Sequence, residues 1–302
     1  MNIWRIHLKS SGTNPDEFCL TRDIVGIGWP VQDLGKNLNW EDYVKLAEHE
    51  EYFKLPKRKN AWKAAINALK QKMKTYDLVW TRDRQGIYYI GQVTGDWYYQ
   101  ASDENKIARM FNLRPCRWFK VGPVDFVPGK IVNSFIPNRT LQRVLSEQIS
   151  LYSKFIFNKR SNSNYYELRS NFKPDIYSLI SSEDCEDILG IYLQKELNYM
   201  IIPSSCKSDT MNYEYVLLHK PTGKKAVAQV KSGNTNLDTR NYTNIDEKVF
   251  LFTSKGKYLG KRSDKIEFID SNKMKDFIAS NINIMPGKIR YWLNILDELN
   301  NG

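Results

Sequence analysis

The sequence predicts a two-domain protein of the α+β or α/β class, and three features of the chain indicate it. Its 302 residues are enough to form two separate hydrophobic cores. Residues 1–135 are dominated by short segments that alternate apolar and polar side chains, as half-buried strands do. Residues 181–302 alternate amphipathic helices with short apolar strands, an order that favours a mixed sheet flanked by helices.

The N-terminal part is expected to form a small β-barrel, or a mostly antiparallel sheet, with helices beside it. An alanine-rich helix is predicted at 60–74, where apolar residues recur at helical spacing, and a weaker helix is predicted at 40–51. The strands are predicted at 2–8, 24–29, 77–81, 87–99, 116–121 and 131–135.

The border between the two domains is expected in the middle of the chain. A helix is predicted at 137–152, and the polar composition of 157–166 is typical of a loop or linker. We therefore divide the chain into an N-terminal domain at 1–135, a helical connector with a linker at 136–180 and a C-terminal domain at 181–302.

The chain is basic, with 45 Lys and Arg against 34 Asp and Glu and a formal net charge of +11. Residues 1–145 hold 23 of the basic and 15 of the acidic residues, so the N-terminal part carries most of the excess. A basic surface suits a polyanion such as nucleic acid, although many unrelated proteins are equally basic. The candidates for contacts with a phosphate backbone, which solvated charged loops explain equally well, are Lys57, Arg58, Lys59, Arg82 and Arg84.

Four cysteines are scattered along the chain without a Cys-x-x-Cys spacing, and there are only three histidines. This composition argues against a zinc site and against a disulfide framework. The N-terminus lacks the pattern of a signal peptide, and no apolar run approaches the ~18 residues of a membrane span. We therefore expect a cytoplasmic protein.

Residues 213–233 predict a β-hairpin that brings an acid, an amide and an amine together. A turn at 221–224 would pair Glu214 with Lys231 across the two strands. Gln229 lies two residues before Lys231, so both side chains share one face of their strand. The three polar groups are thus expected to converge on one edge of a small sheet.

These groups offer oxygen ligands of the kind that Mg²⁺ prefers, namely the Glu214 carboxylate, the Gln229 amide oxygen and the carbonyl of Val230. Beside them, Lys231 could orient a water molecule or offset the charge that develops on a phosphate. The alternative is a surface hairpin on which Glu214 and Lys231 form an exposed ion pair that contributes little to stability.

The segments on either side of the hairpin add an acidic helix and further strands. Glu186 lies near the start of a predicted helix, and two strands at 248–253 and 265–270 precede another helix at 271–280. This order of elements resembles the PD-(D/E)XK nuclease superfamily. Over residues 181–281 it is similar to the Mrr-like restriction endonucleases, in which glutamine replaces the second acid of the motif.

The resemblance implies a site for a divalent metal ion. The catalytic residues that it implies are Glu186, Glu214, Gln229 and Lys231. Glu214, Gln229 and Val230 would hold Mg²⁺, with Mn²⁺ as a substitute. Asp209 competes with Glu214 for the role of the first metal-binding acid. The Pro-Asp pair that names the superfamily is not found at either acid, since Ser208 precedes Asp209 and Tyr213 precedes Glu214.

Three motifs with aromatic residues accompany the predicted N-terminal strands, namely Gly-Ile-Gly-Trp-Pro at 26–30, Asp-Leu-Val-Trp at 77–80 and Gly-Ile-Tyr-Tyr-Ile-Gly-Gln-Val at 86–93. Their order resembles PUA-like domains of the EVE and YTH kind, in which an aromatic cage holds a modified or flipped-out base. An extrahelical base requires stacking faces on both sides. The cage candidates, each of which could instead be a core residue, are Trp29, Trp80, Trp97, Tyr88 and Tyr99.

Together the two resemblances imply a modification-dependent restriction endonuclease of the type IV-like kind, which acts in defence against foreign DNA. It would bind double-stranded DNA with modified bases, hold a flipped base, with modified cytosine as the expected one, and hydrolyse phosphodiester bonds with Mg²⁺. Cutting both strands requires two such sites, which predicts a homodimer. The alternatives are a non-catalytic reader of modified DNA or RNA, and a nuclease that acts on RNA or branched DNA.

Overall fold

The computed structural model describes residues 1–9, 12–32, 37–169, 173–206 and 213–301, apart from the side chains of residues 52 and 301. The chain is of mixed α/β class. Its internal contacts divide it into two compact units, Met1–Phe172 and Lys173–Gly302. The division falls inside the connector predicted at 136–180.

The first unit is built on a sheet that curls into a half-barrel. Within the described residues the sheet has seven strands in the order β2-β6-β4-β3-β1-β7, with β5 paired to β6. Strands β1 and β3 are parallel, and the other pairs are antiparallel. The strands are β1 Ile3–Ile6, β2 Ile24–Ile27, β3 Leu78–Arg82, β4 Tyr88–Val93, β5 Tyr98–Tyr99, β6 Asn112–Gly122 and β7 Leu141–Arg143.

Helices pack around this sheet, and several begin at a polar cap. The side chains of Asn39, Ser102 and Ser146 each accept a hydrogen bond from a backbone N–H in the first turn of the helix that follows. The helix at Pro56 continues as a π-helical turn, Ala68–Lys72. The helices are α1 Pro15–Thr21, α2 Trp40–His49, α3 Glu51–Lys54, α4 Pro56–Asn67, α5 Asp103–Ala108, α6 Gly129–Ser134 and α7 Glu147–Ser161.

Two predictions for the end of the first unit are wrong. Residues 131–135, predicted as a strand, lie mostly in helix α6. The helix predicted at 137–152 begins only at Glu147, because residues 141–143 form β7 and pair with β1, with Trp4 opposite Arg143. Residues 141–143 form a strand because β1, which lies near the other end of the unit in sequence, pairs with them. Local periodicity does not indicate a partner this distant.

The polar stretch at 157–166, predicted as a loop or linker, belongs to the first compact unit, and its two ends are buried. Asn158 Nδ2 donates to the carbonyl of Tyr166 at 2.7 Å, and Gln92 Nε2 donates to the Tyr166 hydroxyl at 2.8 Å. Asn158 and Tyr166 are buried and make these hydrogen bonds, whereas most of the polar residues between them are exposed. The chain leaves α7 after Ser161, so a loop does follow, but within the first unit.

The second unit contains a mixed sheet with the order β14-β12-β10-β9-β8. Strands β8, β9 and β10 are antiparallel neighbours, whereas β10, β12 and β14 run parallel. Two short strands, β11 and β13, pair with each other in parallel. The strands are β8 Tyr199–Ile201, β9 Tyr215–His219, β10 Lys225–Lys231, β11 Leu237–Asp238, β12 Lys248–Thr253, β13 Tyr258–Leu259 and β14 Ile266–Ile269.

Three long helices accompany this sheet, namely α8 Ser182–Lys195, α9 Ser271–Ser280 and α10 Gly287–Asn301. Helix α8 begins with a capping box, in which the Ser181 and Asp184 side chains each accept a hydrogen bond from the other residue's backbone N–H. Ile289 and Trp292 on α10 are completely buried, so this helix packs on the core of the unit. In the described part of the chain, no helix is both long and apolar enough to cross a membrane.

Candidate functional site

The hairpin of β9 and β10 forms with a register different from the predicted one. Ala228 lies opposite Tyr215, and the backbone N–H of Glu214 donates to the Ala228 carbonyl at 2.8 Å, so Glu214 lies next to Gln229 and not opposite Lys231. The loop has the predicted length but lies one residue earlier, at 220–223, where Gly223 has a φ of +65°, and this displacement moves the register by two residues. Because the error is two residues, each side chain stays on the predicted face.

Glu214, Gln229 and Lys231 come together at the end of β10. Gln229 Nε2 donates to Glu214 Oε1 in a short hydrogen bond and to the Val230 carbonyl at 3.0 Å. Lys231 Nζ lies 3.6 Å from the same carboxylate oxygen. Gln229 is only 3% exposed, whereas Glu214 and Lys231 are partly exposed. A fixed, buried amide therefore supports a carboxylate and an ammonium group that solvent can reach.

Helix α8 brings Glu186 to the same region. Glu186 and Glu214 both line a cavity of about 550 Å³. Gly190, one turn further along α8, allows the helix to approach the sheet, because a Cβ at this position would lie 2.9 Å from Ile201 Cδ1. The Tyr215 hydroxyl donates to the carbonyl of Glu186 at 3.3 Å and fixes this turn of the helix to β9. Gly190 and Tyr215 were not predicted, since neither carries a charge or a motif.

The cavity is strongly acidic, because Glu183 and Asp187 also line it. Burial, followed by the charges of Glu214, Glu183 and Asp187, raises the pKa of Glu186 to about 7, while Lys231 opposes the shift. Glu186 can therefore gain or lose a proton near neutral pH. A bound cation would relieve the repulsion among these carboxylates.

The residues present fit a hard divalent cation. Two oxygen acceptors, the Glu214 carboxylate and the Val230 carbonyl, converge on the Gln229 NH₂ group, in the way that ligands converge on a cation. Rotation of this amide by half a turn would add its oxygen as a third ligand, and Mg²⁺ takes the rest from water or phosphate. Among the described residues, no group of three or more His, Cys, Asp and Glu side chains is arranged to hold a metal. Asp209, the competing ligand, lies outside the described residues.

In the first unit, four of the five predicted cage residues, Trp80, Tyr88, Trp97 and Tyr99, are buried in the core, so their assignment to a cage is wrong. Trp80 is 0% exposed, and its Nε1 donates to Ser153 Oγ of α7 at 2.9 Å. Tyr88 packs edge-on against Phe135, and Tyr99 is completely buried. Their strands direct these rings into the interior, where the hydrophobic effect favours large aromatic side chains.

Trp97 is also buried, since its ring packs edge-on against Trp40 and its Nε1 donates to Asn112 Oδ1 at 3.3 Å. Trp29 differs from the other four, because it is half-buried and lines a cavity of about 890 Å³. Its φ of +63° is unusual for a residue with a large side chain. Phe111 supplies a second aromatic ring to the cavity wall. We call this space the Trp29 cavity.

Basic side chains dominate the Trp29 cavity. The described lining residues include four cations, Lys9, Lys106, Arg109 and Arg139, and one carboxylate, Glu50. Arg109, like Trp29, has a positive φ, of +55°. Apart from Trp29, the sequence did not predict these residues, because they come from separate segments that only the fold brings together.

The predicted backbone-contact residues fall into two groups. Lys57, Arg58 and Lys59 lie in the first turn of α4 and are exposed, although a loop was expected there. Arg82 lies over the ring of Phe135, with 5.2 Å between its Cζ and the ring centroid. Arg84 Nε lies 3.6 Å from the buried carboxylate of Asp16. Arg82 and Arg84 therefore have structural partners, and the α4 cluster faces solvent.

Comparison with known proteins adds one match. A family model described as a domain of unknown function (DUF8426) matches residues 4–136, which form most of the first unit. No curated protein and no solved structure matches the chain. The chemistry of the two cavities is therefore the basis for assigning a function.

Proposed function

We propose that this protein is a modification-dependent endonuclease that binds a flipped base in the first unit and hydrolyses DNA in the second. The observation that carries the proposal is the contact of Glu214, Gln229 and Lys231 at one end of β10, with Glu186 on the same cavity. An acid, an amide and an amine in this arrangement suit phosphodiester hydrolysis with a divalent metal ion.

The order of elements supports a nuclease core similar to that of the PD-(D/E)XK superfamily. An acid-bearing helix, α8, precedes three antiparallel strands, and β12 then runs parallel to β10. Glu214 directly precedes β9, and the Gln-x-Lys pair lies at the end of β10. The carboxylate and the ammonium group are thus held by rigid strands, as catalytic groups require.

Each residue has a role in this proposal. Glu214, the Val230 carbonyl and the Gln229 amide oxygen would hold Mg²⁺ or Mn²⁺, which when bound would neutralise charge on the phosphate and lower the pKa of water. The Lys231 ammonium offsets the negative charge that develops on the phosphate oxygens. Glu186, whose pKa is raised to about 7, accepts the proton of the attacking water.

The Trp29 cavity supports the binding of a base by the first unit. Trp29 and Phe111 offer aromatic surface, and a base–aromatic stack contributes about 1–3 kcal/mol to binding. Lys106, Arg109 and Arg139 supply positive charge for the phosphates that flank a flipped nucleotide. Modified cytosine is the base that we propose, and two copies of the chain would cut the two strands.

A cleavage panel tests the proposal. The full-length protein is incubated with matched duplexes containing cytosine, 5-methylcytosine, 5-hydroxymethylcytosine or glucosylated 5-hydroxymethylcytosine, with Mg²⁺, Mn²⁺ or EDTA. We expect cutting of at least one modified duplex, only with a metal ion, and no cutting of the plain duplex. Selective binding without cutting would instead indicate a non-catalytic reader of modified DNA. The presence of Gln229 where the superfamily has its second acid is the feature that favours this alternative. Cleavage of RNA or branched DNA, but of no modified duplex, would contradict the proposal.

A further inference from the structure

Two isoleucines beside the Trp29 cavity are unusually exposed. Ile107 is 74% exposed and Ile136 is 78% exposed, and no other large apolar side chain in the described part of the chain reaches these values. Ile107 follows Lys106 and precedes Arg109, both of which line the cavity. Ile136 lies two residues before Asn138, another lining residue. Single exposed apolar residues are ordinary, but each of these two lies within two residues of a side chain that lines the same cavity, which indicates a shared role.

The backbone holds both isoleucines in place. Ile107 belongs to α5, where Asn105 Nδ2 donates to the Met110 carbonyl at 2.7 Å and closes the end of the helix. Before Ile136, the buried Phe135 holds the chain, because its carbonyl lies 2.9 Å from His7 Nε2. The two side chains therefore point into solvent from fixed positions, so contact with a partner costs little further ordering of the backbone.

The surroundings of these isoleucines indicate the kind of partner. Lys106, Arg109 and Arg139 are exposed cations close to them in sequence and line the same cavity. A duplex offers phosphates to the cations and the apolar faces of stacked bases to an apolar side chain. An anionic membrane would also attract such a surface. A membrane surface, unlike a flipped base, does not fill a cavity lined by Trp29 and Phe111.

We propose that Ile107 and Ile136 insert into a DNA duplex beside the flipped nucleotide and stabilise the gap that it leaves. This inference rests on the proposed base-binding function of the Trp29 cavity. Extruding a base sacrifices its pairing and stacking, and an apolar side chain in the gap restores part of that contact. The isoleucines are therefore needed for a paired target and not for a base that is already unpaired.

The test compares a duplex with a single strand. Binding of the full-length protein is measured by fluorescence anisotropy in EDTA, with the best modified cytosine of the cleavage panel in a duplex or in the same single strand. We expect the Ile107→Ala/Ile136→Ala variant to bind the duplex at least about tenfold more weakly and to bind the single strand unchanged. Leu145→Ala, which removes a side chain that is 67% exposed in the same unit, is the matched control and should change neither.

A second measurement reports insertion directly. With 2-aminopurine next to the modified base, the wild type should raise the fluorescence on binding, because the neighbouring base unstacks, and the double variant should not. Unchanged duplex binding, or equal losses on duplex and single strand, would overturn the insertion while leaving base binding intact. A wild type without preference for the modified base in either form would overturn both proposals. Isoleucine-dependent sedimentation with phosphatidylserine and phosphatidylcholine vesicles, without an effect on DNA, would assign the pair to a membrane.

Discussion

The cavities of the two units carry opposite charge. The Trp29 cavity has four cations against one carboxylate among its described lining residues, whereas four carboxylates line the cavity at Glu214. A phosphate backbone is attracted to the first cavity and repelled by the second unless a cation lies between. Under the proposed function, the first unit would therefore attract a phosphate backbone by itself, whereas the second would need a bound cation to approach one.

The two cavities also differ in how their residues are held. Glu186, Glu214 and Lys231 lie on or next to regular elements and share hydrogen bonds or ion pairs with neighbours. Trp29 and Arg109 lie between elements and adopt positive φ angles, which cost energy and persist where packing imposes them. Positions between elements are typical of residues that recognise a ligand. Positions on regular strands are typical of catalytic residues, which need a fixed geometry.

The largest expected effect is on catalysis in the acidic cavity. Lys231→Ala should reduce cleavage about a hundredfold to a thousandfold, because it removes the positive charge beside the reacting phosphate. Glu214→Ala should have a similar effect, since it removes the carboxylate that holds the metal. Both variants should still bind modified DNA, because binding is assigned to the other unit. Rates are measured with saturating substrate and Mg²⁺.

Lys225→Ala provides the matched control, because Lys225 is an exposed lysine at the other end of the same strand. It removes the same charge and should leave the rate within about twofold of the wild type, as surface substitutions usually do. Equal losses in Lys225→Ala and Lys231→Ala, or full activity in both, would show that the contact at the end of β10 is not catalytic.

The second expected effect distinguishes the roles of two tryptophans in the first unit, Trp80 in stability and Trp29 in recognition. Trp80→Ala should lower the free energy of unfolding by about 3–5 kcal/mol, because it empties a fully buried site and breaks the hydrogen bond to Ser153. Trp29→Gly should lower it much less, since glycine relieves the positive φ at that position. It should however reduce the preference for modified DNA by about 1–3 kcal/mol, the contribution of one stacked ring.

Urea denaturation gives the unfolding free energies, and competition binding gives the preference. The assignment of Trp29 to recognition fails if Trp29→Gly keeps the wild-type preference while remaining folded. A stable Trp80→Ala protein that loses the preference would reverse the roles of the two side chains.

The smallest effect is the dependence of stability on pH in the metal-free protein. The pKa of Glu186 is raised from 4.5 to about 7 in the folded state. The folded state therefore binds this proton more tightly, and the resulting stabilisation is fully present below about pH 4.5 and is lost as pH rises through about 7. Thermal unfolding in EDTA between these values should show the wild type losing stability relative to Glu186→Gln as pH rises.

Glu41→Gln removes an exposed carboxylate of α2 and controls for the change in net charge. It should follow the wild-type curve over the same pH range. Parallel curves for the wild type and Glu186→Gln would mean that Glu186 is not held in its neutral form by the acidic cavity.

Features that depend on local periodicity were predictable from the amino-acid sequence. Apolar strands and amphipathic helices were predicted with bounds close to those found, as at 248–253 for β12 and 271–280 for α9. The shared face of Gln229 and Lys231 follows from the two-residue repeat of a strand, and it survived an error of two residues in the hairpin register.

The tertiary structure decided the features that depend on residues far apart in sequence. Trp80 and Trp29 have the same side chain, but Trp80 is buried in the core, where it contacts α7, while Trp29 lines a cavity. β7 is a strand because β1 lies beside it, and the cations of the Trp29 cavity come from separate segments. A pattern of neighbours in sequence records which face of an element is apolar, but not which distant element will cover that face.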